Sequence, residues 1–211
     1  MRRVAVTGLG AVTPIGNDAR STWEAAVAGR SGIDWIRSFD VEGLPVRIAA
    51  EVKDFDPTQV ASPKEVRKLE RNVLLALGAG REAMGDAGLN GFDPTRVGIV
   101  FGTAIGGVNG ILEQDAILRE RGPDRVSPNF LPNVLVDSAS GQLAISLGIK
   151  GLNYAVVSAC ATGSHAIGEA AAKPVCIRSS SPALRRCADW SPRRRTRRSH
   201  RVPSMRRAPV S

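Results

Sequence analysis

The pattern of hydrophobic and polar positions predicts short strands interleaved with helices. Short, largely apolar runs at residues 3–7, 97–101 and 154–158 predict three strands. Helices are predicted where apolar residues recur at three- and four-residue spacing, over residues 21–28, 62–86, 108–120, 133–147 and 161–172. The alternation of the two element types indicates a layered α/β domain with a mixed sheet.

The start of the second helix is the best specified of these elements. Ser62 supplies an N-cap, Pro63 suits the first helical position, and Glu65 completes a capping box. Apolar positions of the same segment then predict a buried stripe, at Leu69, Val73, Leu74 and Leu77. Asp18 or Ser21 is the expected N-cap of the first helix, which we expect to end at Gly29. Residues 35–60 predict loops and at most short strands, and the two prolines of residues 127–132 predict a stiff extended stretch.

Composition narrows the class of protein. Hydrophobic residues make up 43% of the 211 and aromatic residues only 4%, so we expect a core of Val, Ile, Leu and Ala. The apolar run near the N-terminus is too short to span a bilayer. The three cysteines form no CxxC pair and show no metal-ligand spacing, which suggests a reducing compartment. The sequence therefore predicts a soluble, cytoplasmic protein without a metal site.

The charge is concentrated at one end of the chain. Residues 173–211 hold 12 of the 29 basic residues and one of the 20 acidic residues, so they carry +11 and the preceding residues −2. This tail is also rich in proline and serine and lacks apolar periodicity, which predicts disorder. Eleven positive charges could bind nucleic acid in a salt-dependent way, but the tail contains no recognisable module, so we expect only adventitious binding.

Cys160 is the leading candidate for chemistry. It lies where the predicted strand at 154–158 gives way to the helix at 161–172. The unpaired N–H groups and dipole of a helix N-terminus favour a thiolate and can hold an oxyanion, so Cys160 could attack a thioester and carry an acyl group. A small buried hydrophobe is the alternative interpretation of the same residue.

Four motifs resemble those of the β-ketoacyl-(acyl-carrier-protein) synthases, in the family's order. SACATGSHAIG at 158–168 is similar to the active-site cysteine signature, and RRVAVTGLGAVTPIG at 2–16 to the opening strand and turn. GTAIGG at 102–107 resembles the glycine-rich gate, and SPNFLP at 127–132 the dimer-contact loop. The resemblance covers residues 2–172 and is nearest to the elongating, type II-like subclass.

The resemblance implies a fold and a set of roles. It implies the N-terminal half of a thiolase-like, dimeric fold, with strand 154–158 pairing across the dimer. Cys160 would accept the acyl chain, Ile105 would gate the acyl pocket, and Phe130 would reach the partner subunit's pocket. Acyl groups would arrive on the phosphopantetheine arm of acyl carrier protein, so no bound cofactor is expected. A basic patch would receive that carrier protein, formed by Lys64, Arg67 and Lys68 on one helix face; an ordinary solvated face is the alternative.

The same resemblance implies residues that this sequence lacks. Relatives draw two catalytic histidines from their C-terminal half, whereas this chain has only His165 and His200. Five helical residues turn a side chain about 140° out of phase, so we expect His165 to point away from Cys160 and to be structural. We therefore expect a domain at 1–172 that is incomplete and inactive in condensation. The tail at 173–211 has the composition of GC-rich DNA translated out of frame, which suggests a frameshifted or misassembled product.

Other classes fit less well. A polyketide ketosynthase would share every motif and stays open as an alternative to a fatty-acid enzyme. A chain-length factor usually lacks the cysteine that is present here, and a coenzyme A-dependent thiolase fits the surroundings of Cys160 less well. A nucleotide-binding protein needs a third glycine or a GxxxxGK[ST] motif, and neither occurs. The isolated half would expose apolar surface, which predicts weak solubility or dependence on a partner.

Overall fold

The computed structural model describes residues 4–89 and 91–172. Its helices are α1 (Ala19–Val27), α2 (Pro63–Val66), α3 (Arg71–Asp86), α4 (Val108–Arg121), α5 (Phe130–Val134), α6 (Ser138–Leu147) and α7 (Thr162–Ala172). Its strands are β1 (Asp34–Trp35), β2 (Ile48–Ala49), β3 (Ile99–Phe101) and β4 (Asn153–Ala155). Strands β1 and β2 pair antiparallel, whereas β3 and β4 pair parallel, with Ile99 opposite Asn153 and Phe101 opposite Ala155. The predicted α/β class is confirmed, but β3 and β4 are shorter than the strands predicted at 97–101 and 154–158. The helix predicted over 133–147 is wrong, because the structure divides it between α5 and α6.

The core lies between α3 and α6 and beneath the parallel strand pair. Helix α6 packs against α3 and against both β3 and β4, and α7 packs against β3. The main cluster is aliphatic, as the composition predicts, and consists of Val60, Val73, Ala76, Leu77, Ala139 and Leu143. Gly80 lets the two helices approach closely, because a Cβ there would lie 2.3 Å from Leu143 Cδ2.

Local signals in the sequence place several helix ends correctly. The Asp18 side chain accepts a hydrogen bond from the Ser21 backbone N–H and caps α1, and Gly29 follows that helix with a φ of +66°. The Ser62 side chain and the Glu65 carboxylate form the predicted capping box at the start of α2. These caps are confirmed because each depends on contacts within one turn of chain.

The predicted strand at residues 3–7 is wrong for the part that the structure describes, since residues 4–7 form no strand. The chain that follows is held by helix α3 instead of a sheet. The Leu9 N–H donates to Asp86 Oδ2 and the Ala11 N–H to Glu82 Oε2, both at 2.8 Å. Gly8 and Gly10 allow this approach, because a Cβ on either would come within 2.2 Å of a helix carbonyl oxygen. Carboxylates that sequence periodicity does not reveal therefore fix this segment.

The single helix predicted over residues 62–86 is also wrong, because the structure divides it into α2 and α3. Helix α2 ends at Val66, residues 67–69 turn, and Glu70 adopts an extended conformation with φ −64° and ψ 151°. Leu69 still packs against the main core cluster. Long-range packing, including contacts of Glu70 with helix α4, accompanies the break.

Residues 127–132 are not a stiff extended stretch, since α5 begins at Phe130. The Phe130 N–H donates to the Ser127 carbonyl at 3.0 Å and starts the turn. Pro132 is the third residue of this helix, where its missing N–H costs nothing because the first turn leaves its donors unpaired. The disorder, the nucleic-acid binding and the frameshift predicted for residues 173–211 all lie outside the described residues.

The ends of β3 and β4 come unusually close together. The Val156 N–H donates to the Phe101 carbonyl at 3.3 Å, which extends the pairing by one residue. A Cβ on Gly102 would lie 2.3 Å from the Val156 carbonyl oxygen and 2.3 Å from Thr162 Cγ2. Residue 102 therefore has to be glycine if β4 and the start of α7 are to keep their places.

We expect Gly102→Ala to destabilise the chain by about 2–3 kcal/mol, because backbone and a buried side chain must move to admit the methyl group. The matched control is Gly168→Ala within α7, where a Cβ meets nothing within 4 Å. That change should stabilise the chain by about 0.5–1 kcal/mol through helix propensity. Chemical denaturation measures both, and equal effects of the two substitutions would contradict this packing.

Candidate active site

Cys160 lies on a sharp turn between β4 and α7. The turn is a short 3₁₀ segment, Ala159–Ala161, and α7 begins directly after it at Thr162. Ala159 has a φ of +50°, a left-handed conformation that costs a residue with a Cβ about 1 kcal/mol or more. The Cys160 side chain is exposed. A strained turn at the N-terminal end of a helix thus presents the thiol to solvent, and the interpretation of Cys160 as a buried hydrophobe is wrong for this structure.

Hydrogen bonds on both sides of Cys160 hold the turn in place. The Ser158 N–H donates to Thr162 Oγ1 at 2.9 Å, and the Ala161 N–H donates to the Ser158 carbonyl at 3.1 Å. His165 Nδ1 lies 2.7 Å from the Ser158 hydroxyl oxygen, within hydrogen-bond distance. His165 therefore ties the first turns of α7 to the chain before Cys160, and its structural role stays a prediction. His200 lies outside the described residues.

Ile105 lies in the glycine-rich loop at 102–107, on the same edge of the sheet as Cys160. Parallel pairing places the carboxyl ends of β3 and β4 side by side, so the loop after β3 and the turn after β4 leave the sheet together. Ile105 is 64% exposed. Gly106 has a φ of +90°, and a Cβ there would lie 2.4 Å from the Val134 carbonyl oxygen. The loop is therefore pressed against α5, the helix that Phe130 begins.

The basic trio does not occupy a single helix face, so that part of the prediction is wrong. Lys64 lies in α2, Arg67 is the residue that ends this helix, and Lys68 follows in the turn. All three side chains are exposed. The prediction assumed that one helix continues through all three residues. Because α2 ends at Val66, Arg67 and Lys68 do not follow helical spacing from Lys64.

A polar cleft of about 350 Å³ brings two residues of the trio together with Phe130. Arg67 and Lys68 line one side, α4 another and α5 a third, whereas Lys64 is not among the lining residues. The Asn133 side-chain amide donates to the Lys68 carbonyl across the cleft, and the Gln114 side chain accepts from the Ser127 N–H at 2.7 Å. The structure thus connects part of the proposed carrier-protein surface with part of the proposed acyl pocket.

Glu70 is a cleft residue that the sequence reasoning missed. Burial raises the pKa of its carboxyl group, the negative charge of Glu113 raises this pKa further, and a hydrogen bond from the Gly110 backbone N–H opposes the rise. In the sequence Glu70 lies inside a predicted helix, where a glutamate is unremarkable. The available signal was the three-residue spacing of Gly107 and Gly110, which leaves a groove on the first turn of α4.

The described residues contain neither a cluster of metal-binding side chains nor a membrane-spanning helix. Within residues 4–89 and 91–172, no group of three or more His, Cys, Asp or Glu side chains is placed to hold a metal ion. No helix in those two ranges is long and apolar enough to cross a membrane.

Comparison with known proteins agrees with this geometry. The family model "Beta-ketoacyl synthase, N-terminal domain" matches residues 1–180, eight residues beyond the resemblance seen in the motifs. A relative from Coxiella burnetii, 3-oxoacyl-(acyl-carrier-protein) synthase 2, is 43% identical over 172 residues, which cover 81% of this chain and 42% of the relative. The chain thus spans about two fifths of that relative's length.

Solved ketosynthase structures share the fold. The ishigamide ketosynthase/chain length factor matches with a TM-score of 0.71 and 28% identity, over 81% of this chain and 44% of the other. A type II PKS acyl-carrier protein in complex with its ketosynthase, bound to the hexaketide, matches with a TM-score of 0.68 and 25% identity, over 82% of this chain and 47% of the other. These matches confirm the thiolase-like α/β fold over the N-terminal part. The chain therefore belongs to the β-ketoacyl synthase family and contains that family's N-terminal domain.

Proposed function

We propose that this chain contributes the acyl-accepting part of a 3-oxoacyl-(acyl-carrier-protein) synthase of fatty-acid biosynthesis. The observation that carries the proposal is the exposed Cys160 on the turn that starts α7, beside the loop that holds Ile105. A thiol on an exposed turn at a helix N-terminus can reach a thioester, and neighbouring backbone N–H groups can hold an oxyanion. The 43% identity to a synthase of this name supports the choice of reaction.

The first step is a thioester exchange. The Cys160 sulfur attacks the carbonyl carbon of an acyl group on acyl carrier protein, and a tetrahedral oxyanion forms. The carbon–sulfur bond to the carrier then breaks, and the carrier's thiol leaves with the proton that Cys160 gave up. Residues of the loop at 102–107, with Ile105 as the gate, would border the bound acyl chain, and Phe130 would extend into the partner subunit's pocket.

The second step is a decarboxylative Claisen condensation. A malonyl group on a second carrier protein loses CO₂, and the electron pair left on its α-carbon attacks the acyl carbonyl carbon on Cys160. The carbon–carbon bond forms, the carbon–sulfur bond to Cys160 breaks, and the sulfur takes a proton from solvent. The family resemblance implies two histidines for this step, and neither His165 nor His200 stands in a matching motif. The 211-residue chain is therefore proposed to accept an acyl group without condensing it.

Carrier protein is the proposed partner, through Lys64, Arg67 and Lys68. The solved complex of a ketosynthase with an acyl-carrier protein supports this type of partner for the family. A homodimer is proposed as well. Within the described residues β4 belongs to a two-stranded sheet, so the family's pairing of this strand across a dimer would enlarge that sheet. No cofactor is proposed beyond the phosphopantetheine arm that the carrier brings.

A polyketide ketosynthase is the second candidate. It is supported by the type II PKS ketosynthase among the similar structures. The higher identity of the fatty-acid relative favours the first candidate, since 43% exceeds the 25% identity of the polyketide structure. The reaction on Cys160 is the same for both, so the two differ in the acyl group delivered.

We expect the chain to gain the mass of one acyl group when it is mixed with a saturated acyl-(acyl carrier protein), because the exposed Cys160 can exchange thioesters. Cys160→Ala should abolish the adduct, whereas Cys176→Ala and Cys187→Ala should retain it. Intact-protein mass spectrometry reads the result. No adduct on the parent chain, or an adduct that survives Cys160→Ala, would refute the proposal. Adding malonyl carrier protein should release no CO₂ above background.

Reversing the charge of Lys64, Arg67 and Lys68 to glutamate should slow acylation by carrier protein about tenfold or more at low salt, because charges at an interface rim mainly govern association. Acylation by a small acyl thioester without carrier protein should stay unchanged.

The control for this surface replaces three other exposed basic residues, Arg20, Arg30 and Arg47, by glutamate. It changes the net charge equally without touching the proposed carrier surface. Equal slowing by the two triple variants would show a general charge effect and would argue against a specific carrier-protein surface.

A further inference from the structure

Glu70 connects the basic segment at residues 67–68 with the start of α4, which follows the Ile105 loop. In the proposed function these two parts have separate roles. It is the residue immediately before α3, and its side chain makes no capping hydrogen bond to that helix. The side chain instead crosses to the first turn of α4. Arg67 and Lys68 precede it within the same short segment, and the loop with Ile105 leads directly into α4.

Two glycines form the groove that receives the Glu70 side chain. A Cβ on Gly107 would lie 2.7 Å from Glu70 Cγ, and a Cβ on Gly110 would lie 2.2 Å from Glu70 Oε1. Both glycines are buried, and Gly107 is the N-cap residue of α4. No other residue type fits at either position without displacing Glu70. The carboxylate also lies at the helix end where a negative charge is favoured.

Three elements face Glu70, and two of them carry charged residues. Glu113 of α4 is the like charge, and Arg67, Lys68 and Arg71 line the same cleft from the segment around Glu70. Helix α5 contributes only uncharged lining residues, among them Asn133. Burial and Glu113 together raise the pKa of the carboxyl group despite the hydrogen bond from Gly110. Ionised Glu70 is therefore destabilised by its surroundings. An amide of the same shape carries no charge and would not be destabilised in this way.

We propose that Glu70 is a positioning residue that fixes the first turn of α4, and with it the Ile105 loop, relative to the basic residues Arg67 and Lys68. The inference rests on the proposed function, in which Arg67 and Lys68 meet carrier protein and Ile105 gates the acyl pocket. If carrier protein shifts the basic segment when it docks, the Glu70 side chain would transmit that shift to the Ile105 loop beside Cys160. In this role Glu70 acts through the loop and not on the acyl group or the thiol directly.

The direct test is hydrogen exchange of the loop and the first turn of α4, followed by mass spectrometry on the 211-residue chain. Glu70→Ala should speed exchange over residues 102–112 about tenfold or more, while exchange in α6 stays unchanged as an internal reference. Glu70→Gln keeps the shape and an acceptor for the Gly110 N–H, so it should stay within about twofold of the parent. Glu113→Gln, which leaves the groove intact, should also match the parent.

Gly110→Ala separates positioning from ordinary helix stability. Helix propensity alone predicts slower exchange after this substitution. The proposal predicts faster exchange over residues 102–112, because the added Cβ displaces Glu70 from its groove. Slower exchange in Gly110→Ala, a Glu70→Ala variant equal to the parent, or a uniform increase that includes α6 would each overturn the proposal.

The pH dependence of stability is a further readout, because a purely steric role of Glu70 would not depend on pH. The native pKa of Glu70 lies above the ordinary value of 4.5, so the folded chain holds this proton more tightly than the unfolded chain does. Stability contributed by Glu70 therefore falls as pH rises through the range just above 4.5. The denaturation midpoint of Glu70→Gln should rise relative to the parent between about pH 4 and pH 7. A constant difference across that range would contradict the charged, partly buried carboxylate.

The functional arm compares acyl chains of different length on Cys160. If Glu70 positions the Ile105 loop, Glu70→Ala should change the ratio of long-chain to short-chain acylation about threefold or more, with Glu70→Gln restoring it. An unchanged ratio beside altered hydrogen exchange would overturn the link to the acyl pocket. Absence of acylation in the parent would refute the proposed function, and the exchange measurement would still decide the role of Glu70.

Discussion

The parallel pairing of β3 with β4 is the constraint on which the described site depends. Because the two strands run in the same direction, their carboxyl ends meet at one edge, where the Ile105 loop and the Cys160 turn leave the sheet. Gly102 makes this possible, since its position against Val156 and Thr162 leaves no room for a side chain. One glycine thus lets the end of β4 and the start of α7, which flank the Cys160 turn, lie close to the loop after β3. Helix α6, packed on both strands, supports the pair from the core.

The site has a second side, which is polar and is built from segments far apart in sequence. Residues 67–70, the start of α4 and helix α5 meet at the cleft, held together by Glu70 in its glycine groove and by the Asn133 amide on the Lys68 carbonyl. The Ile105 loop is pressed against α5 at Gly106. The loop therefore lies between the sheet edge that presents the thiol and the cleft lined by Arg67 and Lys68.

The sequence predicted those features that depend on neighbouring residues. The caps at Asp18 and Ser62, the aliphatic core and the strand-to-helix setting of Cys160 all follow from short-range patterns, and all agree with the structure. The family followed from four ordered motifs. The sequence did not predict that residues 4–7 lack a strand, because carboxylates some 70 positions later bind the chain that follows.

The errors around the cleft have the same origin. The helix over residues 62–86 breaks where Glu70 reaches α4, about 40 residues further along the chain, and no periodicity in the segment records that contact. The three basic residues lost their common face for this reason. Residues 127–132 contain two prolines that suggest extended chain, yet one of them suits the first turn of a helix.

The central claim is that this fold, and not merely the presence of cysteine, makes Cys160 a nucleophile. The chain's three cysteines allow a test within one molecule, by measuring alkylation rates with iodoacetamide at neutral pH, peptide by peptide. The account predicts that Cys160 reacts about tenfold or more faster than Cys176 and Cys187 in native buffer, and that the difference disappears in denaturant. Equal rates in native buffer, or a Cys160 preference that persists in denaturant, would contradict it.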